Sequence, residues 1–225
     1  MSVTLPSLDR YRALKVEMKN GLILRPMQYE ALERADTSGV LLDIGGGNNS
    51  DYRRLLKCER YDSINIDPRI EPTWVLKVGE RFPIDPGSYD VALSMNTFEH
   101  VFDTALLMEE IAKALKPGGR FVASTPFLYR IHAHPYDYYR PTGTWWEDTL
   151  GKYGFGNVAI QPLTWGPHST ALCARGISGA FKGIRSELAI LQDLLYTRLR
   201  KGRADSLQQQ LATIPVGYFV TAAKR

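Results

Sequence analysis

A chain of 225 residues with 44% hydrophobic side chains can bury one sizeable core but offers no obvious room for a second full domain. Its 23% charged residues and formal net charge of +4 suit an ordinary soluble enzyme, so a dedicated polyanion binder is not indicated, and nucleic acid with it. Cys58 and Cys173 lie far apart without CxxC spacing, which speaks against a disulfide framework or a structural zinc site.

The first ten residues carry Pro6, Asp9 and Arg10 where a signal peptide needs an apolar stretch. No apolar run approaches membrane-spanning length, and a cytoplasmic protein is expected. Residues from about 8 to 35 are rich in helix formers, broken near Asn20-Gly21 and Pro26, and predict leading helices over 1–38 ahead of a main domain over 39–225. At Gly39 the character changes. Val40-Leu41-Leu42-Asp43-Ile44 is a compact apolar run ending in Gly45-Gly46-Gly47, the pattern of a buried parallel strand feeding a glycine turn.

Further short strands are predicted at 63–66, 91–95, 120–124 and 158–163, each bounded by turn residues. Between them, Leu107, Ile111 and Leu115 repeat at spacing four and predict a helix over 104–115, stopped by Lys116-Pro117-Gly118-Gly119. An apolar-periodic helix is expected from about 186 to 200, and a last strand at 216–220. Residues near 127–150 read as a substrate-facing insertion and those near 180–205 as a helical segment. The basic cluster between Arg198 and Arg203 reads as a solvated helix end before it reads as a phosphate site. Strands alternating with helices give an α/β fold, a parallel sheet with right-handed crossovers and helices on both faces.

A glycine turn after a strand lets backbone approach a ligand closely, and the amides beyond it can bind polar groups. Gly45-Gly46-Gly47 sits where such a loop belongs, with a purely structural turn as the alternative. Asp67 ends the second core strand, and the interval from Gly47 is about that at which nucleotide-binding folds place a ribose-binding carboxylate. The plainer reading of Asp67 is a helix N-cap ahead of Pro68.

These motifs, together with Phe82-Pro83-Ile84, Ser88-Tyr89-Asp90-Val91 and Leu115-Lys116-Pro117-Gly118-Gly119, resemble class I S-adenosylmethionine-dependent methyltransferases across residues 39–126. The resemblance implies a Rossmann-like sheet with an antiparallel final strand and S-adenosylmethionine as cofactor. It implies that Asp43 and Gly45 to Gly47 hold the methionine portion, Asp67 with Pro68 the ribose, and Asn96 the methyl-transfer end. In many relatives an acidic residue before the Phe-Pro turn meets the adenine. Here Val78 falls at that position and Glu80 two residues later, so Glu80 stands in for it.

Glu99-His100-Val101 is similar to the Glu-His pair that follows the fourth strand in many of these enzymes, which makes His100 a candidate base. A histidine that only positions the cofactor or caps the next helix is the competing role. Residues 127–141 follow the fifth strand and would lie over the active-site mouth. Their aromatic rings can stack on a sugar, while Arg130 and Arg140 can hold a carboxylate or phosphate. The wording Pro126-Phe127-Leu128-Tyr129 and His134-Pro135-Tyr136-Asp137-Tyr138-Tyr139-Arg140 resembles methyltransferases of bacterial surface-polysaccharide and glycoside modification. His100 or His134 would then take the proton, with Tyr139 and Arg140 positioning a small-molecule acceptor, most simply a sugar hydroxyl. His132, His134 and Asp137 raise the question of a metal, but no second ligand cluster is visible in the sequence and none is expected. His168 receives no role, and a homo-oligomer is left open.

Three other readings compete. A nicotinamide-dependent oxidoreductase shares the first strand and glycine turn, yet Ser50 stands where its third glycine belongs. A nucleic-acid methyltransferase lacks its Asn/Asp-Pro-Pro-aromatic signature here. A non-catalytic binding protein with this fold is the third.

Overall fold

The computed structural model describes residues 3–18 and 22–225. The break expected at Asn20-Gly21 lies outside the described residues, as do Met1 and Ser2. Helix α1 (Leu8–Lys15) starts at Ser7, whose side chain accepts the Arg10 N–H, and buries Tyr11 and Leu14. Helix α2 spans Leu24–Arg34. Pro26 does not break it, because it sits in the first turn, where its missing N–H leaves no intrahelical bond unmade.

Strand β1 (Val40–Ile44) is buried over all but its first residue and is flanked by β2 (Arg60–Asn65) and β4 (Tyr89–Met95), both parallel to it. The two-residue β3 (Trp74–Val75) pairs with β2. Helix α3 (Thr104–Ala114) is capped by Asp103 and passes straight into β5 (Leu115–Pro126), which pairs parallel with β4. The expected stop at Lys116-Pro117-Gly118-Gly119 is therefore already strand: Leu115 is extended and lies opposite Tyr89, with a register shift before Val91. Pro and Gly are poor strand formers, and here the pairing overrides that preference.

Then come α4 (Gly143–Lys152), β6 (Phe155–Leu163), α5 (Pro167–Arg175), α6 (Lys182–Leu199), α7 (Ala204–Ala212) and β7 (Gly217–Lys224). The seven strands order β3-β2-β1-β4-β5-β7-β6 in one sheet, mostly parallel with antiparallel C-terminal strands and flanked by helices. The α/β, Rossmann-like architecture expected from the sequence is the one observed. The strand order reverses between β1 and β4, and such folds bind ligands at the carboxyl ends of the strands beside that switch.

The residues group into two compact units: 1–31, 126–131 and 161–219 in the first, and 32–125, 132–160 and 220–225 in the second. In the second unit, buried Phe98 packs edge-on against Trp146 with ring centroids 4.8 Å apart and against Phe121 at 6.1 Å. That aromatic core fixes the turn following β4. In the first unit, Val3, Leu207 and Leu211 form a small cluster. Helix α6 buries Ser186, Ala189, Ile190, Asp193 and Thr197 and leaves Ile184, Leu188, Leu191, Leu195 and Leu199 exposed. Among the described residues no helix is long and apolar enough to cross a membrane.

Candidate active site

The second unit assembles a polar site at the carboxyl ends of β1, β2 and β4. Gly45 has a positive φ of 89°, and a Cβ there would lie 2.0 Å from Thr97 Oγ1. The Thr97 hydroxyl in turn donates to the Ile44 carbonyl at 3.0 Å, tying the end of β1 to the turn after β4. A Cβ on Gly46 would sit 1.8 Å from Asp43 Oδ2. The loop therefore needs glycine because protein packs against it on both sides. It leads into a short 3-10 turn at Asp51–Leu55 rather than the α-helix that a dinucleotide fingerprint would open.

Asp43 is completely buried beneath this loop. Tyr52 donates to its Oδ2 at 2.9 Å and Tyr61 to the same oxygen at 2.7 Å, but burial outweighs these bonds and pushes its carboxyl up to about 7. Asp43 thus braces the glycine loop from below. Asn65, at the end of β2, donates to the Gly45 carbonyl at 2.5 Å and accepts the Asp67 N–H at 2.9 Å. One side chain so couples the glycine loop to the carboxylate expected to hold ribose. Tyr52, Tyr61, Asn65 and Thr97 were not singled out in the sequence. A polar Asn closing a core strand was the one signal that marked any of them.

Asp67 is partly exposed and does cap the short 3-10 turn Pro68–Ile70 by accepting the Arg69 N–H. The exposed Arg69 guanidinium also pairs with it, Nη2 to Oδ2 at 2.7 Å, and this pairing holds the carboxyl down near 2. His134 is exposed on the loop that also carries His132. Pro68 is exposed at the first position of that turn. Glu80 is exposed and accepts the Lys77 N–H at 2.8 Å, closing a local turn, while Val78 is 75% exposed. Asn96 takes a left-handed conformation, φ 55°, directly after β4, with its N–H on the Ser124 carbonyl.

Three residues further on, Glu99 is fully buried, and among the described residues neither of its carboxylate oxygens has a hydrogen-bond partner. His100 Nε2 and His132 Nε2 each stand 3.7 Å from Glu99 Oε1. The loop carrying His132 is pinned to this turn: the Tyr138 N–H donates to the Glu99 carbonyl at 2.8 Å, and His100 Nδ1 lies 2.5 Å from the Tyr136 carbonyl. Arg140 does not face outward. It forms a two-pronged pair with Asp137, which holds that carboxyl near 2, and Asp137 also accepts the His132 N–H at 2.8 Å. Tyr139 is packed against Trp145, and burial pushes its phenol up. Phe102, Tyr136 and Tyr138 form an exposed aromatic row, with ring centroids 5.4 and 5.8 Å apart. Of the residues expected at the methyl acceptor, His100 joins this cluster, Arg140 supports it through Asp137, and His134 is exposed on the same loop as His132. Arg130 and His168 belong to the first unit, where the Asp193 carboxylate accepts the His168 N–H.

A family model described as a methyltransferase domain matches residues 19–156, more than half of the chain. Dimethylglycine N-methyltransferase of Parasynechococcus marenigrum (strain WH8102) is 27% identical over an alignment of 105 positions, with 39% of this chain and 38% of that protein covered. Phosphoethanolamine N-methyltransferase 2 of Haemonchus contortus, solved with S-adenosyl-L-methionine, superposes with a TM-score of 0.55 at 17% identity, over 95% of this chain and 56% of that one. This chain thus spans little more than half the length of that structure and less of the curated relative. An S-adenosylmethionine-dependent methyltransferase of Mesorhizobium loti gives 0.54 at 15% identity over 88% of this chain and 98% of its own. The [4+2]-cyclase SpnF gives 0.55 at 14% identity over 100% and 99%. These structures share the fold, and the family match decides the assignment: the chain belongs to the methyltransferase domain family.

Proposed function

We propose that this protein transfers a methyl group from S-adenosylmethionine to the hydroxyl of a small sugar or glycoside. The observation that carries the cofactor reading is the linkage through Asn65 of the Gly45 to Gly47 loop and Asp67, at the carboxyl ends of neighbouring parallel strands. Asp67 is ionised at neutral pH, and a carboxylate of that kind can accept both hydroxyls of a ribose. Its partner Arg69 is exposed and can swing aside. The glycine loop would hold the methionine portion, with Asp43 supporting it from below, and Asn96 would line the end from which the methyl leaves. Pro68 would flank the ribose, and Glu80 would reach the adenine only by leaving its turn. When bound, the cofactor supplies an electrophilic methyl on a positively charged sulfur.

The acceptor side rests on the exposed row of Phe102, Tyr136 and Tyr138, which suits the apolar face of a sugar ring. His100 carries its proton on Nδ1, facing a carbonyl that can only accept, so its Nε2 lone pair is the available base. Arg140 acts by positioning His132 through Asp137. His134, exposed on the loop that carries His132, is the alternative base. An amine acceptor is the second reading, favoured by the N-methyltransferases among the similar proteins.

Calorimetry with S-adenosylmethionine, S-adenosylhomocysteine and NAD, followed by transfer of labelled methyl to a panel of glycosides and amines, tests both halves. Saturable binding of the first two, no NAD binding and label on glycosides are expected. Absence of S-adenosylmethionine binding removes the cofactor reading, and label on amines alone replaces the hydroxyl acceptor.

A further inference from the structure

We propose that Glu99, His100 and His132 form a binding site for one divalent transition-metal ion. The sequence suggested no such site, since it considered His132 with His134 and Asp137 and expected no metal. The fold draws a different set together: among the described residues the ligand atoms of Glu99, His100 and His132 all lie within 4.8 Å of one another.

Two observations point to a cation there. The Glu99 carboxylate is fully buried, and neither oxygen accepts a hydrogen bond from the described residues. An isolated buried carboxylate is strongly unfavourable unless a positive group compensates it. The tautomer of His100 sharpens the point. Its Nδ1 lies 2.5 Å from the Tyr136 carbonyl oxygen, which has no proton to give, so Nδ1 carries the hydrogen. In the neutral ring Nε2 then presents a lone pair toward Glu99 Oε1, an acceptor facing an acceptor across 3.7 Å. An ion between them turns both into ligands.

His132 completes the set, with Nε2 3.7 Å from the same oxygen. Its Nδ1 is 3.3 Å from Asp137 Oδ2 and 3.5 Å from Arg140 Nη2. Ligation through Nε2 leaves the Nδ1 proton facing Asp137, the carboxylate behind histidine that orients many metal ligands. Arg140 holds Asp137 in place for that role. Atoms bound at ~2.1 Å to a common ion stand roughly 3 to 3.4 Å apart, so a contraction of at most about 2 Å from the 4.8 Å spread closes the site. Two imidazoles and one carboxylate favour zinc, iron(II), manganese or nickel over calcium or magnesium and leave positions open for water or an oxygen ligand.

The lone pair that would take a proton in the proposed methyl transfer is the one that would take the ion. Metal binding needs no acceptor or cofactor, so the two readings fail separately. The test is titration of the tag-free, EDTA-treated full chain with Co2+, read by its visible absorption, and with Zn2+ and Mn2+, read by calorimetry. One equivalent is expected to bind, with affinity falling at least about 100-fold in Glu99→Gln and in His132→Ala and unchanged in His134→Ala. His132 is partly exposed, so His132→Ala carries the test if the buried Glu99→Gln variant does not fold. No saturable binding by the wild type, or binding that folded variants leave intact, overturns the proposal.

Discussion

Arg69 folds back on Asp67 so that its Nε and Nη2 both reach the carboxylate, at 2.9 and 2.7 Å, while its backbone N–H is capped by the same group. The carboxylate proposed to hold the ribose is thus covered by a side chain that is itself 80% exposed. Exposed ion pairs contribute little, because water screens them and two long side chains lose freedom. Arg69 is therefore a cover that a ligand can displace. Asp67→Ala is expected to weaken S-adenosylmethionine binding by about 10-fold or more, the loss of a charge-assisted hydrogen-bond pair. Arg69→Ala is expected to leave affinity within about 5-fold of wild type. Calorimetry on both variants checks this, and a larger loss in Arg69→Ala would make the arginine a ligand-binding group instead.

Asp43 predicts a pH dependence of stability. Its carboxyl is raised to about 7 in the folded protein, first by burial, with Tyr61 and Tyr52 opposing the shift, whereas an unfolded Asp titrates near 4. A group raised in the folded state contributes stability that is fully present below its unfolded pKa. That stability is lost as pH rises toward the folded value. Ionising Asp43 between about pH 4 and 7 therefore costs on the order of 4 kcal/mol. The difference in Tm between Asp43→Asn and wild type should grow in favour of Asn as pH rises from 5 to 8. Parallel Tm profiles for the two proteins would remove Asp43 as the titrating group.

The frame of this site was legible in the sequence because period and spacing report it: an apolar run ending in three glycines, an acid closing the next strand, and a Glu-His pair after the fourth. What meets the acids was not legible. Tyr61 reaches Asp43 because the parallel register sets Tyr61 beside Leu41, two residues before Asp43, a relation between strands that no local pattern encodes. The sequence placed His132 in the loop after β5, but its approach to Glu99 depends on the Tyr138–Glu99 backbone hydrogen bond and the contact of the His100 ring with the Tyr136 carbonyl, which fold the loop over β4. Helix α6 makes the same point differently. Its periodicity was correct, yet the stripe of long apolar side chains is the exposed one and the buried stripe is built on small and polar residues such as Ser186, Ala189 and Asp193.

Two glycines should respond oppositely to alanine. At Gly46 the added Cβ would lie 1.8 Å from Asp43 Oδ2, and Asp43 is held by two tyrosines. Overpacking of this kind costs about 1–3 kcal/mol, so Gly46→Ala is expected to lower stability by that amount and to weaken cofactor binding with it. Gly151 lies in α4 with nothing within 4 Å of its Cβ direction, and Ala there should be neutral or add up to about 1 kcal/mol. Denaturant midpoints of the two variants settle it. A tolerated Gly46→Ala would mean that the loop can yield.

Asp193 organises the first unit as Asp43 organises the glycine loop. From α6 its buried carboxylate accepts the His168 and Ser169 N–H groups, at 2.9 and 2.8 Å, at the start of α5. Gly166, the residue before α5, packs so closely that a Cβ would meet Asp193 Cγ at 2.4 Å. α5 has no side-chain cap from its own N-terminal residue, so this distant acid replaces one. Asp193→Ala leaves two amides at a buried helix start without an acceptor, which is expected to cost about 2 kcal/mol. Hydrogen exchange gives the local reading: His168 and Ser169 amides should exchange faster in the variant, while those of β1 and β4 keep their rates. Unchanged protection at these two amides would show that the Asp193 carboxylate does not carry the start of α5.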